Sequence, residues 1–212
     1  MISRMAGAAP VRGRFITLEG VDGAGKSTHV SWIASRLRKR GREVVVTREP
    51  GGTPLAERLR TLVLAEPMEP LAETLLMFAA RADHVKKLVL PALGRGAWVV
   101  CDRFTDATLA YQGSGKRIPT DLLRSLAQAV HPDLTPDQTL VFDCPYEVSR
   151  KRLNASGRAL DRFEAEGRAF FDRVRAAYQD LAKAEPGRVR IIDGSMTPDD
   201  VKAEIEKHLI VS

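Results

Sequence analysis

Cysteine is scarce in this chain. Cys101 and Cys144 are the only two among 212 residues, which excludes a disulfide framework and leaves two buried, reduced thiols as the expectation. Long apolar runs are missing as well. No stretch approaches membrane-spanning length, and residues 1–13 hold no apolar core long enough for a signal peptide. A cytoplasmic protein is therefore expected, with residues 1–13 a disordered N-terminal extension in which Met5 could be the true start. Zinc-ligand spacings, Lys/Arg blocks and basic tracts interleaved with aromatics are absent too, so no nucleic acid and no membrane is expected as a partner. What remains is an ordinary globular composition, 44% hydrophobic and 28% charged, enough for one domain with a sizeable core. The net charge of +6 fits either a mildly basic solvated surface or attraction to anions.

Residues 15–28, FITLEGVDGAGKST, carry the strongest local signal. Gly20, Gly25, Lys26 and Ser27 satisfy G-x-x-x-x-G-K-[ST], the phosphate-binding P-loop. Glycines let successive backbone N–H groups turn inward around phosphate oxygens, and the following helix points its positive end at them. In that pattern Lys26 reaches the β- and γ-phosphates, and the Ser27 hydroxyl ligates Mg²⁺. The flanks agree: residues 15–18 are a β-type apolar run, and Val30, Ile33, Ala34 and Leu37 recur at helical spacing. A nucleotide ligand also accounts for the clustered arginines more economically than nucleic acid does.

Strand-like runs alternate with helical patterns along the rest of the chain. This predicts an α/β fold of the P-loop NTPase kind, a five-stranded parallel sheet covered by helices on both faces. The candidate strands are 14–19, 43–48, 98–102, 139–143 and 189–193, and the charged residues ending them should converge on one site. The first helix, 26–40, stops at Gly41; its Arg36, Arg38, Lys39 and Arg40 are expected in solvent. Leu71, Leu75, Phe78, Ala79 and Ala82 would share a helical face and read as core, His84 as a surface or helix-facing residue. Pro91, Gly94 and Gly96 should break that helix. The run ending in Asp102, followed by Arg103, suits the second half of a P-loop enzyme, where the acid faces Mg²⁺ or its waters. Thr108 and Gln112, four apart, would present hydrogen-bonding groups on one helical face, with Tyr111 packing or functional. On a helix over 118–131, Leu122, Leu123, Leu126 and Val130 should point inward, any exposed part being a dimer surface. Arg150, Lys151, Arg152, Arg158 and Arg162 are either a solvated basic helix end or a lid, at about 150–163, that neutralises charge over the nucleotide.

Together the motifs resemble the thymidylate kinase family, nucleoside-monophosphate kinases with a P-loop. The matching pieces are EGVDGAGKST (19–28), TREPGGT (47–53), AAR (79–81), DRF (102–104), AYQG (110–113) and LDRFE (160–164), in that order from about Phe15 onward. The resemblance implies transfer of the γ-phosphoryl group of ATP to dTMP with Mg²⁺, in a homodimer. It implies that Arg48 and Arg103 hold the dTMP phosphate, that Asp22 meets the sugar 3′-hydroxyl, and that Asp102 lies near Mg²⁺ and the acceptor phosphate. Arg81, Thr108 and Gln112 would bond the thymine edge, and Tyr111 would lie against the deoxyribose. Gly20, Gly23, Gly25, Lys26, Ser27 and Thr28 would hold ATP. A phenylalanine usually stacks on the base four residues before the arginine of AAR, but here that position is Met77 and Phe78 follows. Ala107 replaces a common serine. The P-loop carries no arginine of its own, which implies the bacterial type with lid arginines: Arg158 first, then Arg152 and Arg162. The competing functions are a deoxynucleoside kinase or another nucleoside-monophosphate kinase, and a nucleotide-dependent switch. The switch leaves Arg48, Arg81 and Gln112 unexplained and lacks an N-K-x-D signature.

Overall fold

β-Branched and aromatic residues dominate the five runs expected as strands, and all five form a single sheet. The computed structural model describes residues 12–210. Its strands β1 (Phe15–Gly20), β2 (Val44–Arg48), β3 (Trp98–Asp102), β4 (Gln138–Asp143) and β5 (Val189–Asp193) are wholly parallel, in the order β2-β3-β1-β4-β5. The two-residue side-chain period splits the core. Phe15, Val99 and Cys101 pack on one face, and Ile16, Leu18, Trp98 and Val100 on the other.

Parallel pairing requires crossovers, and these are helical. α1 (Lys26–Lys39) follows β1, and α2 (Pro54–Ala65) and α3 (Pro70–His84) follow β2. α3 runs through a π-helical turn, Val85–Val89, into α4 (Leu90–Gly94). After β3 come α5 (Thr105–Thr108), a second π-helical stretch at Leu109–Gly115, and α6 (Thr120–Val130). α7 (Tyr146–Ala155), α8 (Arg168–Ala184) and α9 (Pro198–His208) complete the chain. Val30, Ile33 and Leu37 of α1, Val174 and Tyr178 of α8 and Ile205 of α9 join one core; Ala92 and Leu93 of α4 join the other. No described helix is long and apolar enough to cross a membrane. Cys101 and Cys144 are both buried and unbridged.

Several expectations change. Pro91 does not end the helix. The π turn immediately before it, closed by Leu90 N donating to Val85 O, relieves the ladder where proline has no N–H to give. Gly13, expected in the extension, is packed: its N–H donates to Leu93 O at 2.9 Å, and a Cβ there would sit 1.8 Å from Ala97 O. Residues 1–11 of that extension lie outside the described residues. The stripe expected as core on α3 is mostly outward. Phe78 is buried, but Leu71, Leu75, Ala79 and Ala82 are exposed, as is Leu122 on α6. His84 is fully buried; Thr47 Oγ1 is 2.7 Å from its Nε2 and Glu49 Oε1 is 2.8 Å from its Nδ1. A carboxylate only accepts, so Nδ1 carries the proton and Nε2 takes the threonine hydroxyl. Nor do all the strand-end charges converge. Asp143 is claimed by Arg175 at 2.6 and 2.8 Å, Asp193 turns back on Ser195, and Glu19 is sealed beneath the loop.

Candidate active site

The carboxyl ends of β1 and β3 meet at the P-loop, and backbone geometry there explains the residue types. Gly20 has φ 123°, and a Cβ on it would lie 2.1 Å from Phe142 O of β4. Gly25, at φ 95°, is the left-handed residue that caps α1. Lys26 returns over the loop and donates to Gly20 O (3.0 Å) and Val21 O (2.9 Å). Burial, then Arg103, pushes the pKa of its ammonium down against the pull of Asp22, Asp102 and Glu19. Ser27 and Thr28 are exposed at the helix start. The loop lines a cleft of about 650 Å³, to which Arg152, Arg158, Asp102 and Arg103 also contribute.

Arg103 is the pivot. It has φ 69°, a strained value for a residue with a side chain. Its own N–H donates to Leu18 O, and Glu19 Oε1 accepts the next N–H, of Phe104, at 2.7 Å. The guanidinium then reaches Gly20 O at 2.9 Å, Asp22 Oδ1 at 2.5 Å and the Tyr111 hydroxyl at 3.0 Å. Tyr111 Oη in turn donates to Asp22 Oδ2 at 2.9 Å. Burial opposes ionisation of Asp22, but Arg103, then Lys26 and the hydrogen bonds outweigh it and hold its carboxyl below the usual range.

A second, smaller cavity of about 80 Å³ adjoins the cleft and shares Asp22, Arg103, Arg60, Leu64 and Asp161 with it. Met77, Tyr111 and Gln112 line it. Met77, not Phe78, therefore faces this space; Phe78 is 3% exposed and lies against the Arg81 guanidinium, 4.8 Å from ring centroid to Cζ. Arg81 is clamped between Phe78 and Phe104, donates to Glu49 at 2.6 Å and to the Thr108 hydroxyl at 2.8 Å, and lines the neighbouring space with Met77 and Arg103. Two buried polar atoms here have no partner among the described residues, Arg81 Nη1 and Gln112 Oε1. Thr108 thus acts on Arg81, and of Thr108 and Gln112 only Gln112 lines the cavity of about 80 Å³.

Two expected site residues lie elsewhere. Arg48 pairs with Glu57 at 2.8 Å and lines an outer groove with Ser27 and Asp102, not the second cavity. Arg162 does not line the phosphate cleft; its Nε donates to Val63 O and its Nη2 to Glu73, drawn there by a buried carboxylate that needs cations. Arg152 is held on Gly194 O at 2.6 Å beside the loop, whereas Arg158 pairs with Glu164 at 2.7 and 2.5 Å at the cleft's edge. Sequence reasoning missed Arg60, which donates to Pro50 O and lines both cavities, and the buried Glu49 that anchors Arg81 and His84. Glu49 stands in the TREPGGT run and could have been singled out as an acid beside a turn; Arg60 carries no local signal.

A divalent cation fits this rim. Asp102 Oδ1 is buried with no partner among the described residues, and Ser27 offers an exposed hydroxyl in the same cleft. Both are hard oxygen donors of the kind Mg²⁺ takes, with phosphate oxygens left to complete its shell. The described residues contain no cluster of three or more His, Cys, Asp or Glu that would make an all-protein metal cage.

Comparison with known proteins agrees on one family. The thymidylate kinase family model matches residues 18–205. The chain is 57% identical to the thymidylate kinase of Bordetella pertussis over 198 residues, covering 93% of this chain and 95% of that one. It is 56% identical to that of Methylobacillus flagellatus over 195 residues, covering 92% and 96%. A crystal structure of thymidylate kinase from Ehrlichia chaffeensis superposes with a TM-score of 0.76 at 35% identity, covering 93% of this chain and 98% of that one.

Proposed function

This chain belongs to the thymidylate kinase family, and from that premise we propose that it transfers the γ-phosphoryl group of ATP to dTMP, giving dTDP and ADP. One observation carries the acceptor's identity. On the side away from the P-loop, a buried donor, Arg81 Nη1, and a buried acceptor, Gln112 Oε1, are both unpaired. A thymine edge offers their complement, a carbonyl oxygen for the guanidinium and an N3–H for the amide oxygen. Unpaired buried groups are costly, so a ligand that satisfies both is favoured over one that satisfies neither.

ATP occupies the larger cleft, its phosphates on the loop formed by Gly20, Gly23, Gly25, Lys26, Ser27 and Thr28 with Arg152 alongside. Ser27 and Asp102 would hold Mg²⁺, which neutralises phosphate charge when bound. Arg103 and Asp22, common to both cavities, stand where the two nucleotides meet. Arg103 neutralises the acceptor phosphate; Asp22 and Tyr111 set the sugar, and Met77 packs beside the base. Arg48 and Arg158 come from the rim, the latter as the lid arginine of a segment at about 150–163. The attacking phosphate oxygen is already anionic, so catalysis is positioning and charge neutralisation, with no general base required. The exposed Leu71, Leu75, Ala79 and Leu122 support a homodimer in which a second copy covers this face. A cytoplasmic location goes with these substrates.

A coupled ATP-consumption assay across dTMP, dUMP, CMP, AMP and thymidine tests the proposal, with Lys26→Ala as the inactive control. Preference for dTMP is expected. Preference for thymidine, or transfer retained by Lys26→Ala, would sink it.

A further inference from the structure

Glu73 is a carboxylate in the first turn of α3 with 0% of its surface exposed, and no step of the phosphoryl transfer touches it. Burying such a group is costly unless its lone pairs are taken, and here they are taken from two directions. Oε1 accepts Gln112 Nε2 at 2.8 Å. Oε2 accepts Lys116 Nζ at 2.7 Å and Arg162 Nη2. Gln112 is also 0% exposed and lines the acceptor cavity, and its Oε1 is the atom left without a partner.

The chemistry decides which way the amide lies. Held against Lys116 and Arg162, Glu73 has only acceptor atoms to offer, so Gln112 must turn its NH₂ toward it. The carbonyl oxygen is what remains. Arg162 binds the same carboxylate while its Nε donates to Val63 O of α2 at 2.5 Å, which fastens the segment between α7 and α8 to α2 and α3.

We propose that Glu73 is a positioning residue: it sets the amide orientation of Gln112 and thereby the base specificity of the acceptor cavity, and Arg162 latches the segment after α7 onto the same carboxylate. The proposal rests on dTMP as acceptor. An oxygen at this point accepts the N3–H of thymine or uracil and repels the N3 lone pair of cytosine. With the amide turned over, that discrimination reverses at this atom.

Glu73→Gln is the direct test. The substituted amide turns its carbonyl to Lys116 and Arg162 and its NH₂ to Gln112, which then rotates to present its own NH₂. The expected result is a fall of about 10- to 100-fold in the ratio of kcat/KM for dTMP over dCMP, with KM for dTMP raised and KM for ATP unchanged. Glu73→Asp keeps an acceptor-only group, so it should retain the wild-type ratio even where overall activity drops. If Glu73→Gln lowers both acceptors alike and leaves the ratio where it was, Glu73 is merely structural and the proposal is overturned. Arg162→Met leaves the carboxylate in place and covers the case in which Glu73→Gln does not fold. A raised KM for dTMP at constant KM for ATP supports the latch; a raised KM for ATP alone refutes it. Failure of the wild-type protein to phosphorylate dTMP is a separate outcome that removes the acceptor assignment itself.

Discussion

Glu19 should make this protein less stable as the medium turns alkaline, and a single substitution should remove the effect. The side chain sits beneath the P-loop, fully buried, accepting the Phe104 N–H at 2.7 Å and the Tyr178 hydroxyl at 2.8 Å. Burial first, and Asp106 second, push its carboxyl up to about 8 from an ordinary 4.5, against the opposing pull of Arg103 and the two hydrogen bonds. Between those two values the folded chain binds a proton that the unfolded chain has released. Stability from this group is therefore fully present below the unfolded pKa and is lost as pH rises through the folded one. Integrated between about pH 6 and pH 8, the loss is about 2 kcal/mol. In a domain of this size that corresponds to roughly 4–8 °C in Tm. Glu19→Gln mimics the neutral acid, keeping a carbonyl for Phe104 and a polar group for Tyr178. Thermal unfolding by circular dichroism at fixed protein concentration compares the two proteins across this range. The variant should gain on the wild type as pH rises, overtaking or approaching it by about pH 9. A Tm difference that stays constant with pH would refute the reasoning, because it would mean that Glu19 is charged throughout.

Two further outcomes are expected. Arg158→Ala should lower kcat by on the order of 100-fold while changing KM for dTMP much less, since the side chain is 54% exposed at the cleft edge and can reach transferring charge without holding the base; steady-state kinetics with an unchanged kcat would remove it from the lid role. Leu75→Glu places a charge in the exposed stripe of α3, where Leu75 is 48% exposed, and should convert the proposed dimer to a monomer in sedimentation velocity without lowering Tm by more than a few degrees; a variant with the dimer mass would refute this face as the interface, and a monomeric wild type would refute the dimer itself.

Periodicity and motif spacing found the elements that solve a local problem. Gly20 and Gly25 are where the backbone needs positive φ, and the apolar runs of β1 and β3 are buried on both faces, so their positions are written in neighbouring residues. The acceptor side is different, because its partners come from four separate elements. Arg81 is aimed by Glu49 from the loop after β2 and by Thr108 from α5, and Gln112 is turned by Glu73 from α3. No window of sequence contains such a set. Family resemblance supplied Arg81, Gln112 and Thr108, the last as a base contact, but neither Glu49 nor Glu73, and it put Arg162 with the nucleotide because a basic cluster does not say which acid each member answers. The stripe at Leu71, Leu75 and Ala79 misled for a related reason: helical spacing shows that a face is apolar, not what covers it.

The arrangement of the cations bears on how such a site can be both preset and open. At its centre they rest largely on backbone carbonyls: Lys26 on Gly20 O and Val21 O, Arg103 on Gly20 O as well as Asp22, Arg152 on Gly194 O. A phosphate oxygen accepts from an ammonium or guanidinium more strongly than a neutral carbonyl does, so an incoming nucleotide can displace these contacts without moving the charges far. That is the low reorganisation that electrostatic catalysis needs. At the rim the logic inverts. Arg48 is paired with Glu57 and Arg158 with Glu164, with both arginine side chains more than half exposed. The exposed Arg48–Glu57 pair holds by about 0–1 kcal/mol and breaks at little cost once a stronger anion is in reach; Glu164, itself buried, still accepts the Asp161 N–H when Arg158 leaves it. In the proposed reaction the central cations would therefore define where phosphates bind, and the peripheral ones would be recruited by the charge that arrives. This division fits a P-loop with no arginine of its own: its missing positive charge can come from Arg158, which is parked on Glu164 at the cleft's edge until both nucleotides are present.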